Sequence, residues 1–168
     1  MRLAGYVRQM LGKTDPDTAF AQAERIRRWA RDTDNDLVAM FEDPPATVTR
    51  GDRPGYRSLL EVVRAGRVDA VVVGSLTALS PDLVTQEIMI TDLRRAGATV
   101  VATDDHDVTA LIGGDGDHVR MVVRDVLTRV LEYRSAFGLA DDEIEAGDVS
   151  AVSDEDRDVV VRLFASGD

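Results

Sequence analysis

The chain has 168 residues, 44% of them hydrophobic and 30% charged, the balance of a globular protein large enough for one domain with a full core. It has no cysteine, which excludes disulfides, thiolate nucleophiles and cysteine-ligated zinc. Its formal net charge of -11 argues against general affinity for nucleic acid, because phosphate contacts supply most non-specific binding.

Residues 2–7 (RLAGYV) are apolar apart from Arg2 and predict a short buried strand, followed by the breakers Gly12, Asp15 and Pro16. Asp17 or Thr18 can cap a helix over about 18–32, with Phe20, Ala23, Ile26 and Ala30 on one stripe and Arg25, Arg27, Arg28 and Arg31 largely elsewhere. A strand follows at about 36–42 (DLVAMFE), and then residues 43–52, with two prolines, a glycine and no period, read as a loop. A helix over about 54–65 opens on Pro54 and stops at Gly66, the usual punctuation of helix ends. The run VDAVVVG at 68–74 is β-branched and nearly continuous, the pattern of a strand covered on both faces. After the irregular SLTALSPD, a helix at about 82–95 leads through Gly97 into another buried strand, ATVVAT. Strands and helices alternate with connections too long for hairpins. The expected fold is therefore α/β, three-layered, with a mostly parallel sheet of four to five strands flanked by helices.

The glycine- and aspartate-rich DDHDVTALIGGDGD reads as a turn and lead-in to a long C-terminal helix at about 117–137. Met121, Val122, Leu127, Val130, Leu131 and Phe137, widened by Val119, Val123 and Val126, exceed a single apolar stripe. The sheet can cover one side, and a partner subunit is the natural cover for the other. Arg120, Arg124, Arg129 and Arg134 make no continuous basic stripe and read as a solvated face. Residues 139–168 hold ten acids against Arg157 and Arg162, so -8 of the -11 lies there and -3 remains for the rest. Within that tail, Ser153 with Asp154, Glu155 and Asp156 can open a short helix around Val159, Val160, Leu163 and Phe164. The expected division is one domain over 1–137 and an acidic tail over 138–168, too short and of the wrong sign for a DNA-reading module.

Three segments occur in an order that resembles one family. GYVR at 5–8, DRPGYRSLL at 52–60 and VDAVVVGSLTALSPDL at 68–83 are similar to the catalytic domain of the serine recombinases, the resolvase and invertase family, over roughly 1–137. In that family GYVR is followed by one residue and then Ser-Thr, and the serine attacks a DNA phosphodiester. The resemblance makes Arg8 the family's first catalytic arginine and Arg53 another phosphate-binding arginine, and it sets Met10 in the nucleophile's place. A thioether has no proton to lose and no useful nucleophilicity toward phosphorus. The family's Asp-Arg-Leu-Ser-Arg-Asp loop reads here Thr77-Ala78-Leu79-Ser80-Pro81-Asp82, with Ala78 and Pro81 at its two arginines. Phosphoryl transfer needs cations on the equatorial oxygens, so these losses imply a retired site. The long helix corresponds to the family's dimer interface, and Val119, Val123, Val126 and Val130 are expected to form it here.

Other hydroxyls near these loops, Thr14, Ser75, Thr77 and Ser80, read more simply as residues turning or capping their own backbone. Arg8 and Arg53 can bind an anion, or they can pair with carboxylates in a very acidic chain. Asp104, Asp105, Asp107 and His106 can be set against a divalent cation, but a strand-end turn explains them at less cost, and the glycines at 113–116 lack the ending of a phosphate loop. No cofactor and no metal is expected. With no apolar run of membrane length and no leader pattern, the expected location is cytoplasmic. The resulting expectation is not an enzyme but a pseudo-recombinase: an inactive, homo-oligomeric module for regulation or protein interaction, with weak or no DNA binding. Its alternatives are an accessory protein of DNA recombination, joining related recombinases or touching DNA weakly, and a phosphate or nucleotide sensor.

Overall fold

A computed structural model describes residues 1–8, 18–43, 53–112 and 118–138, except the side chains of 109, 110 and 112. Met10, Thr14, the loop at 44–52, the glycines at 113–116 and the tail from 139 onward lie outside the described residues.

Four strands form one sheet: β1 (Arg2–Arg8), β2 (Asp36–Asp43), β3 (Ala70–Val73) and β4 (Thr99–Ala102). Their spatial order is β2-β1-β3-β4, and every adjacent pair is parallel. The side-chain period of two divides the core between the two faces. Leu3, Val7, Ala70 and Val72 point to one face, against Ala19, Ala23, Ile26 and Ala30 of α1 (Ala19–Asp32). Ala4, Tyr6, Val71 and Val73 point to the other. They meet Tyr56, Leu59, Leu60 and Val63 of α2 (Pro54–Arg64) and Met89, Ile90 and Leu93 of α3 (Leu83–Arg95). Three layers result, as the alternating pattern implied. The four residues of β3 are fully buried, which is why they read as an unbroken apolar run.

Three local features differ from expectation. Phe20 is 74% exposed, because the buried stripe of α1 runs Ala19, Ala23, Ile26, Ala30 and position 20 lies about 100° away around the helix. Small residues on that stripe let α1 approach the sheet closely, and a Cβ built on Gly5 would lie 2.5 Å from the Met40 sulfur and 3.1 Å from Ile26. Asp105–Ile112 forms a helix, α4, rather than a turn. Asp104 accepts hydrogen bonds from the backbone N–H groups of His106 (3.0 Å) and Asp107 (3.4 Å), and Asp105 and Asp107 place negative charge in the first turn. Within SLTALSPD, residues Leu76–Ala78 form a short 3-10 helix whose first N–H, that of Leu76, donates to the Asp107 carboxylate at 2.7 Å. Of the four residues set against a cation, Asp104, Asp105, His106 and Asp107, the side chains of Asp104 and Asp107 thus bind backbone N–H groups, and no metal-type cluster occurs among the described residues.

The long helix, α5, runs His118–Ala136 and closes on Gly138 in the left-handed region (φ 63°). It packs on α3 through few residues, and only Arg120 and Leu127 on it are buried. No helix among the described residues is long and apolar enough to cross a membrane.

Candidate functional site

In an open parallel sheet, ligands bind beyond the C-terminal ends of the strands, at the point where the connections diverge to opposite sides. Here that point lies between β1, whose chain goes on to β2, and β3, whose chain goes on to β4. Arg8 is the last residue of β1, and the 3-10 turn follows β3, so the topology brings residue 8 and the 75–82 loop to one end of the sheet.

The backbone of Arg8 is fixed on both sides. Gln22 of α1, itself buried, accepts from the Arg8 N–H at 3.2 Å and donates to its carbonyl at 2.9 Å. Its guanidinium has no such anchor among the described residues. Among the described residues, Arg8 Nη1 is the one buried side-chain polar atom without a hydrogen-bond partner. Burial pushes the Arg8 pKa down, the positive charge of Arg53 pushes it the same way, and Tyr6 and Asp43 oppose this.

Asp43, at the end of β2, organises the opposite wall. Its carboxylate accepts from the Tyr6 hydroxyl (2.7 Å), the Gly55 N–H (2.7 Å) and the Tyr56 N–H (3.2 Å). Two of these donors belong to the first turn of α2, so Asp43 supplies the cap that the helix's own N-cap residue, Arg53, does not. The approach is tight: a Cβ on Gly55 would lie 2.5 Å from the Glu42 carbonyl oxygen. Burial, with the Asp43 hydrogen bond next, raises the Tyr6 phenol well above its ordinary pKa. The Tyr6 and Tyr56 rings meet edge to face with centroids 6.0 Å apart.

Arg53 sits half-buried at the mouth of α2, its Nη1 donating to the Leu79 carbonyl oxygen and lying 2.9 Å from the Met89 sulfur. The structure therefore joins Arg53 to the second loop and sets its charge where it acts on Arg8. Of the other predicted positions, Thr77 is exposed, with its hydroxyl 2.6 Å from that of Ser75. Ala78 is buried in the larger core cluster, and Pro81 is exposed just before α3. Ser80 is buried and its hydroxyl accepts from the Asp82 N–H at 3.1 Å, a turn-forming role. Two guanidiniums thus lie close enough for the charge of one to act on the other, and one of them has a buried donor with no partner among the described residues. A phosphate oxygen there would satisfy the orphan N–H, whose lack of a partner costs about 1–3 kcal/mol or more for a charged group.

On α5, Val119, Val126 and Val130 are exposed and Val123 is half-buried. Arg120 and Arg124 are not a solvated face. Glu87 of α3 is fully buried and is held by Arg120 Nη1 and by Arg124 Nε at 2.6 Å. Arg120 Nη2 also donates to Gln86 Oε1 at 2.7 Å. Sequence reasoning missed this cluster, because a glutamate inside one helix gives no sign of arginines more than thirty residues later.

The fold is a parallel α/β domain in which Arg8 and Arg53 come together at the C-terminal end of the sheet, by its switch point. The family model for the resolvase N-terminal domain matches residues 3–140, and the chain belongs to that family. No curated protein matches. Among solved structures, the chain is similar to the N-terminal catalytic domain of TP901-1 integrase, at 15% identity and a TM-score of 0.55, covering 82% of this chain and 98% of that one. It is similar also to a resolvase family site-specific recombinase from Streptococcus pneumoniae, at 15% identity and a TM-score of 0.56, covering 82% and 95%. The catalytic domain of ISC1926 TnpA, an IS607-like serine recombinase, aligns at 16% identity and a TM-score of 0.53, covering 79% and 99%.

This membership corrects the expectation that the chain is no enzyme, since the family is one of recombination enzymes. That expectation rested on Met10, Ala78 and Pro81. Residue 10 lies outside the described residues, and the lack of arginine at 78 and 81 leaves the cationic pair Arg8 and Arg53 in place.

Proposed function

We propose that the chain acts in DNA recombination as a serine-recombinase domain that holds a backbone phosphate between Arg8 and Arg53 and assembles through α5. The observation that carries the phosphate reading is the Arg8 Nη1 donor, buried and without a partner among the described residues, beside a second guanidinium. An arginine folded to serve an ion pair would have spent that donor on a carboxylate. Asp43 is close enough to influence Arg8, yet its oxygens are used by Tyr6 and the α2 amides. The exposed valines of α5, Val119, Val126 and Val130, support assembly with a second copy or with related recombinases.

Duplex DNA binding followed by fluorescence anisotropy tests this at about 50 and about 200 mM salt. Binding is expected to weaken steeply with salt. Arg8→Gln is expected to lower affinity about tenfold and to flatten the salt slope by about one. A denaturing gel reads any covalent protein–DNA adduct on the same samples. Absence of binding at the lower salt, or an Arg8→Gln variant indistinguishable from the parent, would sink the proposal. A thermal shift with pyrophosphate or nucleotides in place of DNA binding would turn the pocket into that of a small-anion sensor.

A further inference from the structure

The turn after β3 holds a pair of hydroxyls at the same end of the sheet as Arg8. β1 and β3 run in parallel register, Ala4 against Val71 and Tyr6 against Val73, and these four side chains share the face covered by α2 and α3. Two residues further on, the alternation brings Arg8 and Ser75 to that same face, on neighbouring strands about 4.8 Å apart. The chain is still extended there. Ser75 has φ -147° and ψ 160°. Thr103 carries the partnership with β4 past Val73, its N–H donating to the Val73 carbonyl at 3.0 Å and its hydroxyl to the Gly74 carbonyl at 2.9 Å.

The backbone donors of this turn are spent. The N–H of Leu76 goes to Asp107, that of Thr77 to Ser75 Oγ at 3.2 Å, that of Ala78 to the Ser75 carbonyl and that of Leu79 to the Leu76 carbonyl. Its hydroxyls are not. Ser75 Oγ and Thr77 Oγ1 lie 2.6 Å apart, so one of their two protons is used between them and the other remains. With Thr77 as the donor, Ser75 Oγ accepts from both the hydroxyl and the N–H of Thr77. That fills its two lone pairs and leaves its own proton to be given away. Ser75 is half-buried and in line with Arg8, whereas Thr77 stands outside it and is exposed. A DNA phosphodiester carries two non-bridging oxygens, and the buried Nη1 of Arg8 can take one of them. We infer that Ser75, oriented by Thr77, donates to the other oxygen of the phosphate held by Arg8 and Arg53. The inference rests on that phosphate reading and adds an uncharged ligand to its two cations.

Duplex DNA binding by the full chain, followed by fluorescence anisotropy at about 50 and about 200 mM salt, tests it. Ser75→Ala is expected to weaken binding about tenfold at both salts, the loss of one hydrogen bond to a charged group. The salt slope should stay that of the parent, because a hydroxyl displaces no counterion. Thr77→Val removes only the orienting donor and should cost about threefold, with Thr77→Ser restoring the parent affinity. Since Thr77 is exposed, this arm stands whatever Ser75→Ala does to the turn. In an Arg8→Gln background, Ser75→Ala should add less than about threefold, because the two groups hold one phosphate. A further full tenfold there would give Ser75 a separate contact and overturn the inference. Parent-like binding by both Ser75→Ala and Thr77→Val, with Arg8→Gln still weakened, overturns the role of Ser75 and leaves the arginine pair standing. A parent chain that does not bind, or that binds no better than Arg8→Gln, removes the phosphate reading and the role of Ser75 with it.

Discussion

Glu87 offers the sharpest test of how α5 is held to the domain. Its carboxylate is fully buried and receives hydrogen bonds from both Arg120 and Arg124, with Arg94 also close enough to feel its charge. Glu87→Gln keeps the shape and removes the charge. Two guanidiniums then lose the carboxylate that offset their burial, Arg120 being only 8% exposed, and Arg94 loses the charge that counters its own burial. Breaking a buried pair from one side costs about 3–5 kcal/mol. For a chain of this size, that amounts to a fall in Tm of about 6–20 °C. Thermal and urea unfolding followed by circular dichroism measure it. The triple variant Glu87→Leu with Arg120→Met and Arg124→Met is expected to recover much of the loss, because replacing all the partners of a buried ionic cluster by apolar groups is often neutral. A Glu87→Gln protein that melts within about 2 °C of the parent would refute the reasoning, and would mean that α5 is held by its few apolar contacts alone.

Asp43→Asn keeps one acceptor oxygen but presents N–H groups to donors, and at least one of the three hydrogen bonds from Tyr6, Gly55 and Tyr56 must be lost. A loss of about 2–4 kcal/mol is expected by urea unfolding, and a loss under 1 kcal/mol would show that α2 does not need this cap. Gly55→Ala sets a methyl 2.5 Å from the Glu42 carbonyl oxygen, so it should unfold at lower denaturant than the parent by about 1–3 kcal/mol, and parity would mean that β2 and α2 separate freely. The Tyr6 phenol has a folded pKa raised above its ordinary value of about 10. Its stabilising contribution is therefore fully present below about pH 10 and is lost as pH rises through the folded pKa. Unfolding free energy measured from pH 9 to 11 should fall more steeply for the parent than for Tyr6→Phe, and equal slopes would contradict the assignment.

Much of the architecture was legible because each strand announced itself in one stretch. VDAVVV has no polar face to hide, and the structure buries all four residues of β3. Helix ends marked by Pro54 and Gly66 were equally local signals. What failed to show was tertiary. Asp43 looked like the first residue of a loop, yet it caps a helix that begins eleven residues later. Arg120 and Arg124 have the spacing of an ordinary exposed helix face, and only the position of Glu87 on another helix makes them interior. The α4 helix was hidden by the glycines just beyond it, although Asp104 with acids in the following turn is a recognisable start signal. At the candidate site, motif order alone brought out Arg8 and Arg53. That the first has an unspent donor is a property of packing and has no trace in the sequence.

Gln86 gives these parts a mechanical relation. Its side-chain oxygen is taken by Arg120 of α5, and its nitrogen donates at 2.8 Å to the carbonyl of Ser80, the neighbour of the Leu79 carbonyl that receives Arg53. One buried amide is thus a strut between the outer helix and the floor of the arginine pair. A sliding of α5 must stretch that strut or move the turn beneath Arg53, so a displacement of the outer helix is felt at the C-terminal end of the sheet where Arg53 sits.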